Sequence, residues 1–488
     1  MDDEPKGMLR RRAKIVATVG PATDDLEVLT QMMRAGLDVV RLNASHGTVD
    51  DRRRRLGLVR EAARRADRCV GVLLDLGGPK IRIECFREGP VQLAEGASFT
   101  LDTALDAKAG TVERVGIAYK ELPKDVAAGD TLLLADGQIV LDVVKVGPTT
   151  VDTRVRVGGP LSDRKGLNRQ GGGISAPALS ERDHVDIRFA AEEGIDYMSV
   201  SFAREAADIE QARTLLRAAG GDGRIVAKIE RHEAVENLPG IIEASDVIMV
   251  ARGDLGVEMG YAELTGLQKT IIDQTRTHNK VVITATQMME SMIHNPVPTR
   301  AEVSDVANAV MDGTDAVMLS AETATGRYPL RAVQAMAQVI EGAEKYQLTH
   351  HRWRQRNSES YFQGTEEAIA MAVMYMANHM KVSAIVALTE SGATPLWMSR
   401  IRADIPVYAF TRHEATRRRV TLYRGVYPVI FDVTAPGSTE ALYRALFTRL
   451  LELQLVKNND LVILTKGELS GATGGTNSMQ ILKVSLAT

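Results

Sequence analysis

Eight short, β-branched apolar runs recur along the chain, at residues 14–18, 38–42, 70–75, 196–200, 224–229, 246–250, 280–284 and 315–319. Most are separated by stretches with helical periodicity, such as 24–35 and 265–278. Strand and helix alternating eight times is the order of an α/β (β/α)8 barrel.

A barrel of this kind builds its active site from loops at the C-terminal ends of its strands, so polar residues should crowd just after each run. Arg41, Asn43 and Ser45 follow the second run, Asp75 ends the third, Lys228 and Glu230 the fifth. Asp254 follows the sixth, Thr286 the seventh, and Ser320 and Glu322 the eighth. Side chains two residues apart on a strand point to one face, so Lys228 and Glu230 converge and Asp254 adds a carboxylate from the next strand. One Lys-x-Glu alone reads equally well as a strand-end salt bridge. A lysine, several acids and several hydroxyls on one rim read as a metal and phosphate site.

The third run ends at Asp75 and the fourth begins near residue 196, far more chain than one crossover helix needs. Residues 80–177 read as short strands with frequent turns, for example 131–134 leading through Asp136-Gly137 into 139–141. This is an inserted β-rich domain, placed to act as a lid over the barrel's catalytic end. Residues 1–79 and 178–346 then form the barrel, with a last helix from Pro329 to about Lys345. A polar linker follows over 347–364, within a C-terminal segment, 347–488, that reads as an open α/β domain. Its apolar runs lie at 383–388, 407–410, 426–430 and 461–465. The loop TESGAT at 389–394 follows a strand and precedes a helix, which suits an anion, and the glycine-rich stretch 466–476 is placed to close over it.

Composition narrows the function classes. With 488 residues, 44% of them apolar, the chain is long enough for several cores. A net charge of -3 supplies no field for nucleic acid, and no apolar run is long enough to span a bilayer. Residues 1–12 lack the apolar segment of a secretory leader. Two cysteines, Cys69 and Cys85, without metal-ligand spacing fit reduced thiols and a cytoplasmic location. The four arginines 52–55 read as the solvated face of a barrel helix.

Six segments in order carry a resemblance: KIVATVGPAT at 14–23, VVRLNASHG at 39–47, KIE at 228–230, ARGDLGVE at 251–258, ATQMMESM at 285–292 running into PTRAE at 298–302, and MLSAET at 318–323. Over nearly its whole length the chain resembles a pyruvate kinase. The resemblance implies transfer of the phosphoryl group of phosphoenolpyruvate to ADP, giving ATP and an enolate that is protonated to pyruvate, the last step of glycolysis. It places a Mg²⁺, with Mn²⁺ as a substitute, on Glu230 and Asp254, and puts Lys228 against the transferring phosphoryl group and the enolate oxygen. The backbone N–H groups of Gly253 and Asp254, with Thr286, would receive the substrate carboxylate. Thr286 and Ser320 would relay the proton, and Arg41 would bind phosphate. Thr18, Pro21, Asn43, His46, Arg82 and Lys165 match positions lining the ADP or ATP site.

Two departures mark a bacterial subgroup. Arg169-Gln170 followed by Gly171-Gly172-Gly173 stands where many members have Leu-Pro, and Lys80, in DLGGPKIR at 75–82, stands where potassium-dependent members have Glu. The family's K⁺ ligands Asn43, Ser45 and Asp75 are all present, yet an ammonium at Lys80 would supply the same charge and repel a second cation. K⁺ is therefore expected not to be required. In the regulatory domain Thr389, Ser391, Gly392 and Thr394 match the family's phosphate loop. Ala393 replaces the Arg of members activated by fructose bisphosphate, and 467–475 lack Arg and Trp, so a sugar monophosphate or AMP is the expected effector. The family is usually a homotetramer. Its domains reach from near one terminus to near the other, so no further catalytic domain is expected. Another phosphoenolpyruvate or pyruvate barrel enzyme would not explain the insert or the pair Thr286 and Ser320. A non-catalytic sugar-phosphate sensor would be expected to lack at least one of Lys228, Glu230, Asp254 and Thr286, and all four are present.

Overall fold

The computed structural model describes residues 11–350, 362, 364–401, 404–435, 437–467 and 475–485. Eight parallel strands, β1 (Lys14–Thr18), β2 (Val39–Asn43), β3 (Gly71–Asp75), β4 (Tyr197–Val200), β5 (Arg224–Ile229), β6 (Val247–Ala251), β7 (Val281–Ala285) and β8 (Ala316–Leu319), close into a barrel. Several begin one residue later than the apolar runs suggest, because the aspartate that opens the run has another task. The carboxylates of Asp38, Asp196, Asp246 and Asp315 accept the backbone N–H of Ile15, Val72, Ile225 and Val282 on the neighbouring strand, at 2.8 to 2.9 Å. They satisfy donors that the lower rim of a barrel would otherwise leave unpaired.

Side chains alternate along each strand. Val16, Val39, Leu73, Tyr197, Val226 and Val247 join one buried cluster inside the barrel, while Ile15, Val40, Leu74, Met198, Ala227 and Ile248 pack outward under the helices. The inner cluster runs on through the base into Leu422, Tyr423 and Val426 of the C-terminal domain. That domain therefore plugs the barrel at the end opposite the catalytic rim, and Tyr197 reaches it by donating its hydroxyl to the Arg419 carbonyl at 2.5 Å.

The insert holds a six-stranded sheet with a core of its own, including Ile83, Phe99, Leu101, Leu132 and Leu141. Its hairpin pairs Thr131–Leu134 with Ile139–Val146, and the turn needs left-handed backbone at Ala135, Asp136 and Gly137 (φ 51°, 57° and 85°). In the C-terminal domain the sheet order is β11-β10-β9-β12-β13, where β9 is Ala384–Leu388, β10 Val407–Thr411, β11 Val426–Ile430, β12 Leu461–Gly467 and β13 Thr476–Lys483. The antiparallel β13 goes beyond the four runs expected, because its polar start, Thr-Asn-Ser, hides an edge strand.

Two further expectations are corrected. The helix from Pro329 runs to His350, past Lys345, because Gln347 is buried and donates to the Met311 carbonyl at 3.2 Å. Arg52 is not on a solvated face: it is buried in an ion pair with Asp186, while Arg53, Arg54 and Arg55 pair with Glu193 and Asp24. Most of the expected linker, 351–361 and 363, and the stretch 468–474 lie outside the described residues.

Candidate active site

Stepping by two from the interior residues reaches the rim: Val39 leads to Arg41 and Asn43, Leu73 to Asp75, Tyr197 to Ser199 and Ser201, Val226 to Lys228 and Glu230, and Met318 to Ser320. The site is the polar top layer of the barrel interior.

Lys228 is its centre. Its Nζ donates to Ser201 Oγ at 2.7 Å and lies 3.2 Å from Glu230 Oε2 and 3.6 Å from Asp75 Oδ1. Asp75 also accepts from Ser199 and, at 2.7 Å, from Arg41 Nε, and Arg41 Nη1 donates to Thr18 Oγ1 at 2.9 Å. Burial alone would push the Asp75 carboxyl up, but the charges of Lys228 and Arg41 bring it down to about 2. Burial would likewise discharge Lys228, yet Asp75 and Glu230 raise its pKa and keep the ammonium.

Glu230 behaves differently. Burial is the strongest influence on it, and the nearby Asp254 carboxylate adds to it, so its pKa is raised although Lys228 lies against it. Its Oε1 accepts the Phe202 N–H at 2.7 Å. Its Oε2 is buried, faces Lys228 only as an ion pair, and receives no directed hydrogen bond. An oxygen in this state, beside a second carboxylate, fits a cation ligand. Among the described residues no three His, Cys, Asp or Glu side chains converge into a complete protein cage, so an ion here would fill its shell with water and substrate oxygens.

Lys80 is not placed among Asn43, Ser45 and Asp75. Its Nζ donates to Asp254 Oδ1 at 3.0 Å and lies 3.7 Å from Asp136 Oδ1 on the lid hairpin. The cause is the lid: the lysine stem lies along Gly166, where an added Cβ would meet Lys80 Cε at 2.9 Å. Asn43 Oδ1 instead accepts the Ser45 N–H at 3.0 Å.

Thr286 carries backbone strain. Its φ is 70° and that of Gln287 is 52°, a left-handed pair that costs a β-branched residue on the order of 1–3 kcal/mol. Arg252 holds the turn by donating to the Ala285 and Thr286 carbonyls at 3.2 and 2.8 Å, and is itself fixed by Asp305 at 2.7 Å. Thr286 Oγ1 accepts the Gly253 N–H at 2.8 Å, so the helix Arg252–Met259 opens directly beneath it. Ser320 is tied to the same loop through Glu322, whose carboxylate accepts the N–H of both Ser320 (2.6 Å) and Met289 (3.1 Å).

Of the nucleotide-side candidates, Thr18 joins Arg41 directly, and His46 lies within the field of Arg82 and Arg41. Burial is the first cause of His46's lowered pKa and those guanidiniums the next. Arg82 donates to the Arg164 carbonyl at 3.0 Å, beside Lys165 at the lid stem. Pro21 opens a short 3-10 turn after β1 and joins none of these by a hydrogen bond. In the distal loop, Thr389 Oγ1 and Ser391 Oγ accept the N–H groups of Gly392 and Ala393 at 2.9 and 3.3 Å. Gly392 has φ 86°, and Thr394 is buried with its hydroxyl 2.6 Å from that of Thr476. The sequence assigns no site role to Ser199, Ser201 or Arg252 and reads Asp136 only as a turn residue, although Ser199 and Ser201 stand at period two at the end of the fourth run.

The barrel, the insert and the distal α/β domain recur in known proteins. Residues 10–333 match the family model described as pyruvate kinase, barrel domain, and residues 367–482 match pyruvate kinase, alpha/beta domain. The chain is 52% identical over 481 residues to pyruvate kinase II of Salmonella typhimurium, covering 97% of this chain and 99% of that protein. It is 51% identical over 470 residues to the pyruvate kinase of Haemophilus influenzae, covering 95% and 97%. With that of Geobacillus stearothermophilus the identity is 42% over 482 residues, 98% of this chain and 81% of that protein. Matches to both family models, together with relatives aligned over nearly the full length, show that this chain belongs to the pyruvate kinase family.

Proposed function

We propose that this protein transfers the phosphoryl group of phosphoenolpyruvate to ADP, producing pyruvate and ATP. The observation that carries this reading is Lys228, held charged at the barrel rim beside Glu230, whose Oε2 receives no directed hydrogen bond. Lys228, Arg41 and Lys80 face Asp75, Glu230 and Asp254, so the rim is internally neutral and an anionic substrate needs additional positive charge. Glu230 and Asp254 fit a divalent ion, Mg²⁺ or Mn²⁺, which when bound would neutralise phosphoryl oxygens and orient the substrate. As the phosphorus–oxygen bond to the enol breaks, its electron pair passes to the enolate oxygen, where the Lys228 ammonium is placed to hold the charge. The substrate carboxylate takes the N–H groups of Gly253 and Asp254 at the start of the helix, displacing Thr286 Oγ1 from Gly253. Thr286 is then free to pass a proton, with Ser320, to the methylene carbon.

This reading includes turnover without K⁺. Asp75, the carboxylate a K⁺ would need, is already bound by Arg41, Lys228 and Ser199, and Lys80 adds a fixed charge one carboxylate away. The test is pyruvate formation from phosphoenolpyruvate and ADP, coupled to lactate dehydrogenase, with Mg²⁺ in tetramethylammonium buffer. Turnover is expected there and is expected to stop on chelation of Mg²⁺. No pyruvate with either K⁺ or tetramethylammonium refutes the activity; turnover that requires K⁺ refutes only the potassium reading.

The distal loop is read as an effector site for a sugar monophosphate or AMP, with Thr389, Ser391 and Gly392 as the phosphate contacts and Thr394 bracing the loop against Thr476. Calorimetric titration with glucose 6-phosphate, ribose 5-phosphate and AMP is expected to give saturable heat with at least one, lost in Ser391→Ala. Absence of heat with all three rejects the assignment.

A further inference from the structure

Lys80 joins two parts of the molecule, the barrel rim and the inserted domain. On one side is Asp254, at 3.0 Å; on the other is Asp136, at 3.7 Å, at the tip of the lid hairpin. The tip has few other attachments. Tyr261 donates its hydroxyl to the Asp136 carbonyl at 3.4 Å, and Ala135 donates its N–H to Gly166 at 3.1 Å. The Lys80 side chain is about a quarter exposed and that of Asp254 similarly so, whereas Asp136 is largely in solvent. The ammonium therefore favours the more shielded carboxylate, Asp254, while that carboxylate carries a full negative charge.

We propose that Lys80 is a hand-over cation: it occupies Asp254 while no divalent ion is there, and passes to Asp136 when one binds, drawing the hairpin tip toward the site. This rests on the reading of Glu230 and Asp254 as the metal ligands. A divalent ion on Asp254 consumes the charge that holds Lys80 and repels its ammonium, and Asp136 is the remaining carboxylate in reach. Linkage makes the relation reciprocal, because a lysine that the ion must displace weakens the binding of that ion. Lys80 is on this view a positioning residue that couples metal loading to the lid, and it transfers no group itself.

The test uses the full chain without phosphoenolpyruvate or nucleotide. Free Mn²⁺ is followed by electron paramagnetic resonance during titration of the parent, Lys80→Met and Asp136→Asn. Hydrogen exchange over 131–141 is measured with and without the ion. Lys80→Met is expected to bind Mn²⁺ about tenfold more tightly, the effect of removing one competing ion pair of about 1.4 kcal/mol. Asp136→Asn is expected to bind within about twofold of the parent. Mn²⁺ should slow exchange at the hairpin in the parent and leave it unchanged in both variants. Lys80→Gln supplies the same comparison should the methionine variant not fold. Equal or weaker Mn²⁺ binding by the Lys80 variants, or no effect of Mn²⁺ on the parent hairpin, overturns the hand-over. Absence of Mn²⁺ binding by the parent overturns the metal site itself, so the two failures are distinct.

Discussion

Replacing Lys228 by methionine is expected to lower kcat by about 10²- to 10³-fold while changing the KM for phosphoenolpyruvate far less. The ammonium sits where charge would develop as the enol–phosphate bond breaks, so its loss falls on the transition state. Removing one preorganised donor from such a position costs roughly 3–4 kcal/mol. The contacts also predict a secondary effect. Lys228 faces Glu230 and Asp75, side chains that are 1% and 2% exposed. Arg41 still compensates Asp75 in the variant, but Glu230 is left buried with no cation. Saturating Mg²⁺ should therefore raise the thermal midpoint of Lys228→Met by more than that of the parent. Lys228→Arg should not restore the rate, because a planar guanidinium cannot place one charge among Ser201, Glu230 and Asp75 as a compact ammonium does. A kcat for Lys228→Met within tenfold of the parent in the lactate dehydrogenase assay would refute the role.

How much of this was legible in the sequence depended on what each residue contacts. The eight strands were, because runs of β-branched residues packed on both faces have few other solutions, and β1 and β5 occur at the bounds read from sequence. The convergence of Lys228 with Glu230 follows from strand geometry alone. The partners of Asp75 were not legible: Arg41 and Ser199 reach it from the strands on either side, so the contact depends on register. Arg52 looked like its three neighbours, and only the approach of the helix bearing Asp186 buries it. Lys80 was legible as a charge near the site but not as the partner of Asp254, since the route of its side chain is set by Gly166, a residue of the folded insert. The strain at Thr286 had no local signal, because threonine gives no hint of a positive φ.

Arg400→Ala is expected to destabilise the docking of the C-terminal domain by about 3–5 kcal/mol, the cost of breaking a buried pair by removing one partner. Arg400 and Asp315 are each 2% exposed, and the guanidinium meets both carboxylate oxygens, at 2.8 and 2.5 Å. Asp315 cannot turn to solvent in the variant, because it also accepts the Val282 N–H at 2.9 Å and lies at the head of β8. The partly buried Arg276 lies within its field and supplies some compensation, which favours the lower end of the range. The measurement is urea unfolding followed by hydrogen exchange over 281–285 and 316–319, because a chain of three domains has no single two-state transition. Early exchange in these strands, ahead of β1 and β2, is the expected sign. Arg400→Met combined with Asp315→Asn should recover at least half of the loss, since no unpaired charge then remains. On the proposed effector reading, the pair is also expected to carry the response from the distal loop to the rim. The helix Ala393–Arg400 begins at the loop of Thr389 to Thr394, and β8 (Ala316–Leu319) separates Asp315 at its head from Ser320 at its end, so the ion pair links that loop to the catalytic rim. A sugar phosphate should still bind Arg400→Ala, as heat in the calorimeter, but should no longer change its KM for phosphoenolpyruvate. Parent-like stability of the single variant, within about 0.5 kcal/mol, would show that the docking rests on the apolar plug of Leu422 and Tyr423 and not on this pair.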